Sequence, residues 1–360
     1  MAREQLADFL YLFHRFGSQQ SRLRALLSHN NDDPFQARQA IDAEPHLFNP
    51  HKPRTSPEAQ MHVDLEWAEA PNNHLIWYGD PAYPALLGQT PGYPLMLYAS
   101  GDISLLDQPQ IAIVGSRNCT PGGARNARDF AAELANAGLV ITSGLALGVD
   151  SEAHEGALSQ GKTIAVTATG LDLVYPRQNR RLASRIRDCG LLISEFPLGT
   201  HARAAFFPQR NRIICGLAIA TLVVEAAQRS GSLITARLAG EQGRDVFAIP
   251  GSIHNPQSRG CHQLLRDGAT LAETPVDIIR ELEPLFRFVI SEQNPTTPVE
   301  RISPDDDKGL ILNAVGFDPT CVDSIIESSG LTVDKVSSML VLLELEALIQ
   351  TAPGGCYVRT

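Results

Sequence analysis

Arginine and aromatic residues alternate in one short segment near the middle of the chain. Arg203, Phe207, Arg210 and Arg212 stand close together, and Asn211 separates the last two arginines. Guanidinium groups bind phosphate through a planar fork, and aromatic rings stack on unpaired bases. The segment therefore predicts a surface for single-stranded nucleic acid. The alternative is that the phenylalanines are core residues and that an arginine pairs with a neighbouring carboxylate.

Three glycine- and serine-rich turns could also bind phosphate. Each follows a short apolar run and precedes a helix-like stretch, and such a turn directs backbone N–H groups outward. The candidate residues are Gly115, Ser116 and Arg117 in the first turn, Ser143 and Gly144 in the second, and Ser230, Gly231, Ser232 and Arg237 in the third. For the first turn, an ordinary tight connection with a solvated arginine is the alternative.

Several kinds of site are disfavoured. The first turn lacks G-x-G-x-x-G, and no acidic residue ends the next strand-like run, so we expect no dinucleotide cofactor. His154 and Glu225 are interpreted as structural, and no catalytic residue is assigned. The six cysteines form no C-x-x-C pair and have no histidine at zinc-ligand spacing, which indicates buried, reduced thiols and no metal site.

The charge is unevenly distributed. The whole chain has a formal net charge of −10. Residues 108–283 contain 18 basic and 16 acidic residues, which gives a net charge of +2. Residues 303–360 contain 3 basic and 9 acidic residues, which gives a net charge of −6. Of the 18 basic residues, 17 are arginine. The middle of the chain is therefore the part that suits a polyanion, although arginine usage also follows genome base content.

Apolar runs alternate with helix-like stretches through the middle of the chain. The runs cover 111–115, 139–144, 163–170, 190–196, 220–226 and 245–251. Apolar runs without alternating polar residues are typical of strands buried on both faces. The pattern predicts an α/β fold: a Rossmann-like, doubly wound, mostly parallel sheet.

Smaller modules flank this domain. We expect a helical module, similar to a sterile-alpha-motif or helix-hairpin-helix module, with its linker at 1–60, and the Rossmann-like domain at 61–290. A linker at 291–304 and a winged-helix domain at 305–360 follow. The third helix of the winged helix is acidic, which favours a protein-binding or structural role over reading duplex DNA.

Several motifs in order resemble those of the DprA/Smf family of DNA-processing proteins. They are Gly115-Ser-Arg117, Ser143-Gly-Leu-Ala-Leu-Gly-Val-Asp150, Phe207-Pro-Gln-Arg-Asn-Arg-Ile-Ile214, Ser230-Gly-Ser-Leu-Ile-Thr-Ala-Arg237 and Val246-Phe-Ala-Ile-Pro-Gly251. The resemblance covers roughly residues 80–280. It departs from the family pattern at His262, where asparagine is usual, and at Val149, where isoleucine is common.

The resemblance implies a binding protein rather than an enzyme. It implies that the chain binds incoming single-stranded DNA, loads the RecA recombinase onto it during natural transformation, displaces single-strand-binding protein and forms a homodimer. It also implies that Arg117, Arg203, Phe207, Arg210 and Arg212 belong to the DNA pocket. No signal peptide or membrane span is evident, so we expect a cytoplasmic protein with no membrane partner.

An enzyme of the same superfamily is the alternative function. Nucleotide phosphoribohydrolases with a similar sheet carry Pro-Gly-Gly-x-Gly-Thr-x-x-Glu at their fourth turn, and the glutamate does the chemistry. The corresponding segment, Ser230 to Arg237, contains no glutamate. General acid–base catalysis needs a titratable group at the reacting bond, so this reading is disfavoured.

Overall fold

A computed structural model describes residues 2–43, 56–282, 307–315, 320–345, 348–352 and 355–359. The chain divides into two compact units, Met1–Val289 and Ile290–Thr360. The predicted linker at 291–304 lies outside the described residues, as does most of the linker expected before residue 60. The predicted domain boundaries at these places remain predictions.

The first unit contains a nine-stranded sheet in the order β1-β2-β6-β5-β4-β3-β7-β8-β9. Strands β3 to β9 pair in parallel, whereas β1 and β2 are antiparallel to their neighbours. The strands are β1 Asn73–Trp77, β2 Met96–Gly101, β3 Gln110–Val114, β4 Val140–Ser143, β5 Thr163–Val166, β6 Leu191–Ser194, β7 Ala220–Val223, β8 Asp245–Ala248 and β9 Thr270–Leu271. The predicted mostly parallel, doubly wound sheet is confirmed.

Helices cover both faces of this sheet, which is why its strands consist of apolar runs. They are α1 Ala2–Phe16, α2 Gln20–His29, α3 Pro34–Ala43, α4 Pro57–Ala68, α5 Ala85–Gly88, α6 Pro121–Asn136, α7 Val149–Gln160, α8 Arg180–Cys189, α9 Phe206–Leu217, α10 Gly231–Glu241, α11 Arg259–Arg266 and α12 at 275–282. The sequence pattern predicted a helix only over 211–217, whereas α9 begins five residues earlier, at Phe206.

The direction of winding reverses beside β3. From β3 the chain adds β4, β5 and β6 on one side, and it then returns to place β7 on the other side of β3. Such a reversal leaves a crevice outside the carboxyl ends of the two central strands, where ligands of open α/β sheets bind. The topology alone therefore predicts a ligand site beside the residues that follow β3 and β7.

The N-terminal helices pack on the sheet rather than forming a separate core. Phe9 and Leu12 of α1 belong to the same buried cluster as Met96 of β2. The carboxylate of Asp64, in α4, is fully buried there. It accepts a hydrogen bond from the Tyr98 hydroxyl at 2.5 Å and lies 2.6 Å from Nε2 of His14. A buried carboxylate needs such partners, and here they join α1, α4 and β2.

The second unit has the winged-helix arrangement. Its helices are α13 Asp307–Ala314, α14 Val322–Ser329 and α15 Val333–Leu345, and its strands are β10 Thr320–Cys321, β11 Ile349–Ala352 and β12 Cys356–Arg359. The sequence pattern predicted the second helix over 319–328, whereas α14 begins at Val322, after a short strand. Val336, Leu340 and Leu343 of α15 face the small core.

The cysteines depart from the expectation of buried, reduced thiols. Cys321 and Cys356 are joined as a disulfide across paired strands β10 and β12. Cys189 is exposed, and Cys119 is half-buried. Only Cys215 and Cys261 match the expectation among the described residues, because both are free and buried. The two cysteines of the disulfide are far apart in sequence, so no local spacing indicated their pairing.

Helices long and apolar enough to cross a membrane do not occur in the described ranges.

Candidate nucleic-acid interface

A cavity of about 750 Å³ lies at the carboxyl edge of β3 and β7. Segments from the β3–α6 turn, the start of α9 and the start of α10 form its walls. The predicted residues that line it are Gly115, Ser116, Arg117, Arg203, Phe207, Arg210, Asn211, Ser230, Gly231 and Ser232. Residues from three separate sequence segments therefore meet around one concave surface.

The turn after β3 is held by a buried glutamate. The backbone N–H of Ser116 donates to the carbonyl of Glu225 at 2.7 Å. The Glu225 carboxylate accepts from the Thr120 backbone N–H at 2.8 Å and from the Thr120 hydroxyl at 2.6 Å. Thr120 in turn caps α6 by accepting from the N–H of Gly123. Glu225 thus positions the start of α6, in agreement with its interpretation as a structural residue.

The loop after β4 packs closely against the same turn. Gly148 has a φ of 80°, a conformation that favours glycine. A Cβ atom at this position would lie 2.3 Å from the carbonyl oxygen of Ser116. Only a glycine therefore lets this loop approach the turn that carries Arg117.

Arg117 extends from this turn to the rim of the cavity, where it is exposed. Its guanidinium carbon lies 4.8 Å from the centroid of the Phe207 ring, within the range of a cation–π contact. Phe207 also contacts the half-exposed ring of Tyr175, with ring centroids 5.7 Å apart. The rim thus combines a cation with aromatic surface, which is what an unpaired base with its phosphate requires.

A second arginine–aromatic pair lies at the start of α9, with Arg203 just before the helix and Phe206 as its first residue. The guanidinium carbon of Arg203 is 5.7 Å from the centroid of the Phe206 ring. Phe206 packs against Phe196 with ring centroids 4.4 Å apart. Phe206 is therefore a packing residue, whereas the exposed Arg203 leaves its charge available to the cavity.

Arg210 forms part of the cavity floor. It is 3% exposed, and its Nη1 donates to the carbonyl oxygens of Gly144 and Val166, the latter at 2.5 Å. Burial lowers the pKa of Arg210 to about 10, although Asp150 opposes that shift. Burial also raises the pKa of Asp150, while Arg210 and Arg117 act in the opposite direction. Arg210 therefore ties together the ends of β4 and β5.

Gly144 leaves the space that this arginine occupies. A Cβ atom on Gly144 would lie 2.1 Å from Nη1 of Arg210. The neighbouring Ser143 is buried and donates its hydroxyl to the carbonyl of Ile113 at 2.6 Å. Both residues therefore shape the floor without lining the main cavity.

The two remaining predicted residues lie outside the lining. Arg212 forms an ion pair with Glu195, which is the alternative left open for the arginines of this segment. The Glu195 carboxyl is mostly buried, and burial raises its pKa while Arg212 lowers it. Arg237 is exposed on α10, two residues beyond Thr235 of the cavity wall. DNA contacts for both remain predictions.

The start of α10 closes the cavity on the side of β7. Ser230 caps this helix, and its hydroxyl oxygen accepts from the Ser232 backbone N–H at 3.3 Å. The Ser230 and Ser232 hydroxyl oxygens lie 2.6 Å apart. The N-terminus of a helix carries partial positive charge and favours an anion. Arg229, which also lines the cavity, adds a full charge beside it.

His154 is remote from solvent. It is fully buried, and its Nδ1 lies 2.7 Å from the Thr163 hydroxyl. Burial, with a smaller contribution from Arg210, lowers its pKa to about 3. A neutral, enclosed imidazole of this kind supports packing, as the sequence suggested.

Tyr175 and Arg229 line the cavity but were not identified from the sequence. Arg229 immediately precedes Ser230, so its position beside a predicted phosphate-binding turn could have identified it. Tyr175 lies in the loop after β5, and a single tyrosine before a proline carries no distinctive pattern.

Comparisons with known proteins identify relatives of the chain. The sequence model of the family described as DNA recombination-mediator protein A matches residues 74–283, and that of the DprA winged helix domain matches residues 295–355. The Protein Smf of Escherichia coli is 44% identical over 311 residues, which are 84% of this chain and 82% of that protein.

Two solved structures are similar to the chain. DNA processing protein A of Streptococcus pneumoniae is 34% identical, with a TM-score of 0.65, over 76% of this chain and 97% of that one. The structure of DNA processing protein A of Helicobacter pylori concerns the way in which that protein binds single-stranded DNA. It is 32% identical to this chain, with a TM-score of 0.54. That match covers 59% of this chain and 96% of that one.

Proposed function

Because the chain belongs to the DprA/Smf family of DNA-processing proteins, we propose that it binds single-stranded DNA in the cavity beside β3 and β7. In this proposal it protects incoming DNA and loads the RecA recombinase onto it, as a cytoplasmic homodimer, during natural transformation. Single-strand-binding protein is then an indirect partner, displaced from the same DNA. The cavity acts by binding alone, and the chain is not an enzyme.

The observation that carries the proposal is the contact between Arg117 and Phe207 at the cavity rim. An aromatic ring with a guanidinium above it offers a stacking surface and a phosphate ligand at neighbouring points. Stacking on an aromatic ring contributes about 1–3 kcal/mol per base and tolerates every base. We therefore infer binding with little sequence preference. The single-stranded DNA binding mode of the Helicobacter pylori relative supports the same assignment.

The experiment is a fluorescence anisotropy titration of oligothymidylate and of a duplex of equal length, each at several salt concentrations. We expect tighter binding of the single strand and a linear fall of log affinity with log salt concentration. Arg117→Ala should weaken binding and reduce the salt slope by about 0.7, the value of one single-strand phosphate. Arg22→Ala, at an exposed arginine of α2, is the matched control. An Arg117 variant that binds like the control would refute the proposal.

The alternative is a phosphoribohydrolase that cleaves nucleoside monophosphates. Glu225 lies beside the first turn, but both of its carboxylate oxygens accept hydrogen bonds from Thr120. This arrangement favours a structural role over general acid–base catalysis, which needs a carboxylate free to exchange a proton with substrate. Chromatography of adenosine monophosphate after long incubation with the protein tests this alternative. Release of free base by the wild type, and not by Glu225→Gln, would support an enzyme.

A further inference from the structure

Helix α8 and the turn before it form an arginine-rich surface. Arg177, Arg180, Arg181, Arg185 and Arg187 are all exposed there. The acidic residue of the same stretch is Asp188, at the far end of the helix. The opposite side of α8 is apolar and packs through Leu182, Ala183 and Ile186. The helix therefore presents an arginine-rich face to solvent.

Ion pairing within the protein accounts for little of this charge. Arg185 pairs with Glu155 of α7 at 2.6 Å. Arg181 and Arg187 form no ion pair with the described residues. The first turn of α8 contains two arginines and no acidic residue, an order that the helix dipole disfavours. Stability of the helix therefore does not explain the charge pattern.

The arginine surface begins at the cavity rim. The loop before α8 carries Tyr175, which contacts Phe207 and lines the cavity. Asn179, at the start of α8, donates its side-chain amide to the Leu145 carbonyl at 2.8 Å and to the Ser151 hydroxyl at 2.9 Å. These bonds fix the beginning of α8 beside the loop after β4. From there the helix runs away from the cavity for about 15 Å.

We propose that the exposed face of α8 is a second segment of the polynucleotide path, continuous with the cavity. This inference rests on the proposed function. The cavity volume of about 750 Å³ is that of a site for a drug-sized molecule, so it holds only a short stretch of a polymer. A longer strand that leaves the cavity past Tyr175 meets Arg181 and then Arg187. Arginine contacts of this kind bind backbone phosphates and carry no sequence preference.

The test compares oligothymidylates of about 6 and about 20 nucleotides by anisotropy at several salt concentrations. The variant is Arg181→Ala/Arg187→Ala in the full chain. The matched control is Arg22→Ala/Arg280→Ala, which removes two exposed arginines of α2 and α12. We expect the α8 variant to bind the long oligonucleotide several-fold more weakly than the control does, with a salt slope smaller by about 1.4. Its affinity for the short oligonucleotide should match that of the control.

Two results would overturn the inference. Equal affinities of the α8 variant and the control for the long oligonucleotide would show that α8 carries no part of the path. An equal loss on short and long oligonucleotides would place the effect in the cavity instead. Failure of the proposed function is distinguishable, because then Arg117→Ala would leave the affinity for the short oligonucleotide unchanged.

Discussion

The guanidinium carbon of Arg117 lies 4.8 Å from the centroid of the Phe207 ring. Arg117 follows β3, whereas Phe207 is in the first turn of α9, so two distant sequence motifs meet at this contact. A base that stacks beside Phe207 would therefore find a phosphate ligand already in position, with little ordering of side chains required.

The first prediction is that Arg117 and Phe207 act as a coupled pair in binding. Arg117→Ala and Phe207→Ala should each weaken the affinity for oligothymidylate, and the double variant should lose less than the sum of the two losses. The reason is that each side chain holds the other in place, with a coupling of about 0.5–1 kcal/mol for an exposed cation–π pair. Anisotropy titrations of the four proteins measure it. Strictly additive losses would show that the contact is unimportant for binding.

The second prediction separates Arg210 from the exposed arginines. Arg210→Ala should lower the free energy of unfolding by about 3–5 kcal/mol, because it leaves two buried backbone carbonyls without their donor and removes a positive charge that favours the ionised form of the buried Asp150. Urea denaturation followed by circular dichroism measures the change. Arg203→Ala, at an exposed position of the same segment, is the control and should stay within about 0.5 kcal/mol of the wild type. Equal stability of the two variants would contradict the floor role of Arg210.

The sequence was most informative where burial decides the pattern. The apolar runs predicted β3 to β8 because strands covered on both faces have no polar alternation. The sequence pattern predicted a helix only from residue 211, after Pro208, whereas α9 begins at Phe206. Proline is tolerated in the first turn of a helix, where its missing N–H has no partner to lose. This error hid the fact that Phe206 and Phe207 are helical.

The sequence could not predict which individual side chains are exposed. Arg210 and Arg212 belong to one motif, but the first is buried under the cavity and the second pairs with Glu195. Arg203, a few residues earlier, is exposed. Whether an arginine contacts solvent, a carbonyl or a carboxylate depends on residues that are distant in sequence, here Gly144 and Glu195. The composition of the segment therefore indicated the kind of surface, but not which arginines form it.

The third prediction concerns pH. The pKa of His154 is about 3 in the folded protein, compared with about 6.5 for an ordinary histidine. Below about pH 6.5 the unfolded chain binds a proton that the folded chain does not, so the free energy of unfolding falls as the pH decreases towards 3. Between pH 7.5 and pH 5 this group should remove on the order of 2 kcal/mol.

The control for this effect is His154→Asn, which keeps a hydrogen-bonding group near the Thr163 hydroxyl but does not titrate. Urea denaturation at both pH values should show a smaller change in unfolding free energy for the variant than for the wild type. Other titrating groups contribute equally to the two proteins, so the difference isolates His154. The same pH dependence in both proteins would mean that folding does not lower the pKa of His154.

The fourth prediction is that the winged helix contributes little to binding of single-stranded DNA. Residues 303–360 have a net charge of −6, and their helix α15 carries Asp334 and Glu344 beside the exposed Val341 and Leu342. A surface of this kind repels a polyanion. Deletion of residues 303–360 should leave the affinity for oligothymidylate within about twofold, with a slight gain at low salt, where repulsion is least screened. Anisotropy titrations at low and high salt measure this, with thermal unfolding to verify that the first unit is intact. A loss of more than about tenfold in a folded deletion protein would instead assign DNA contacts to the winged helix.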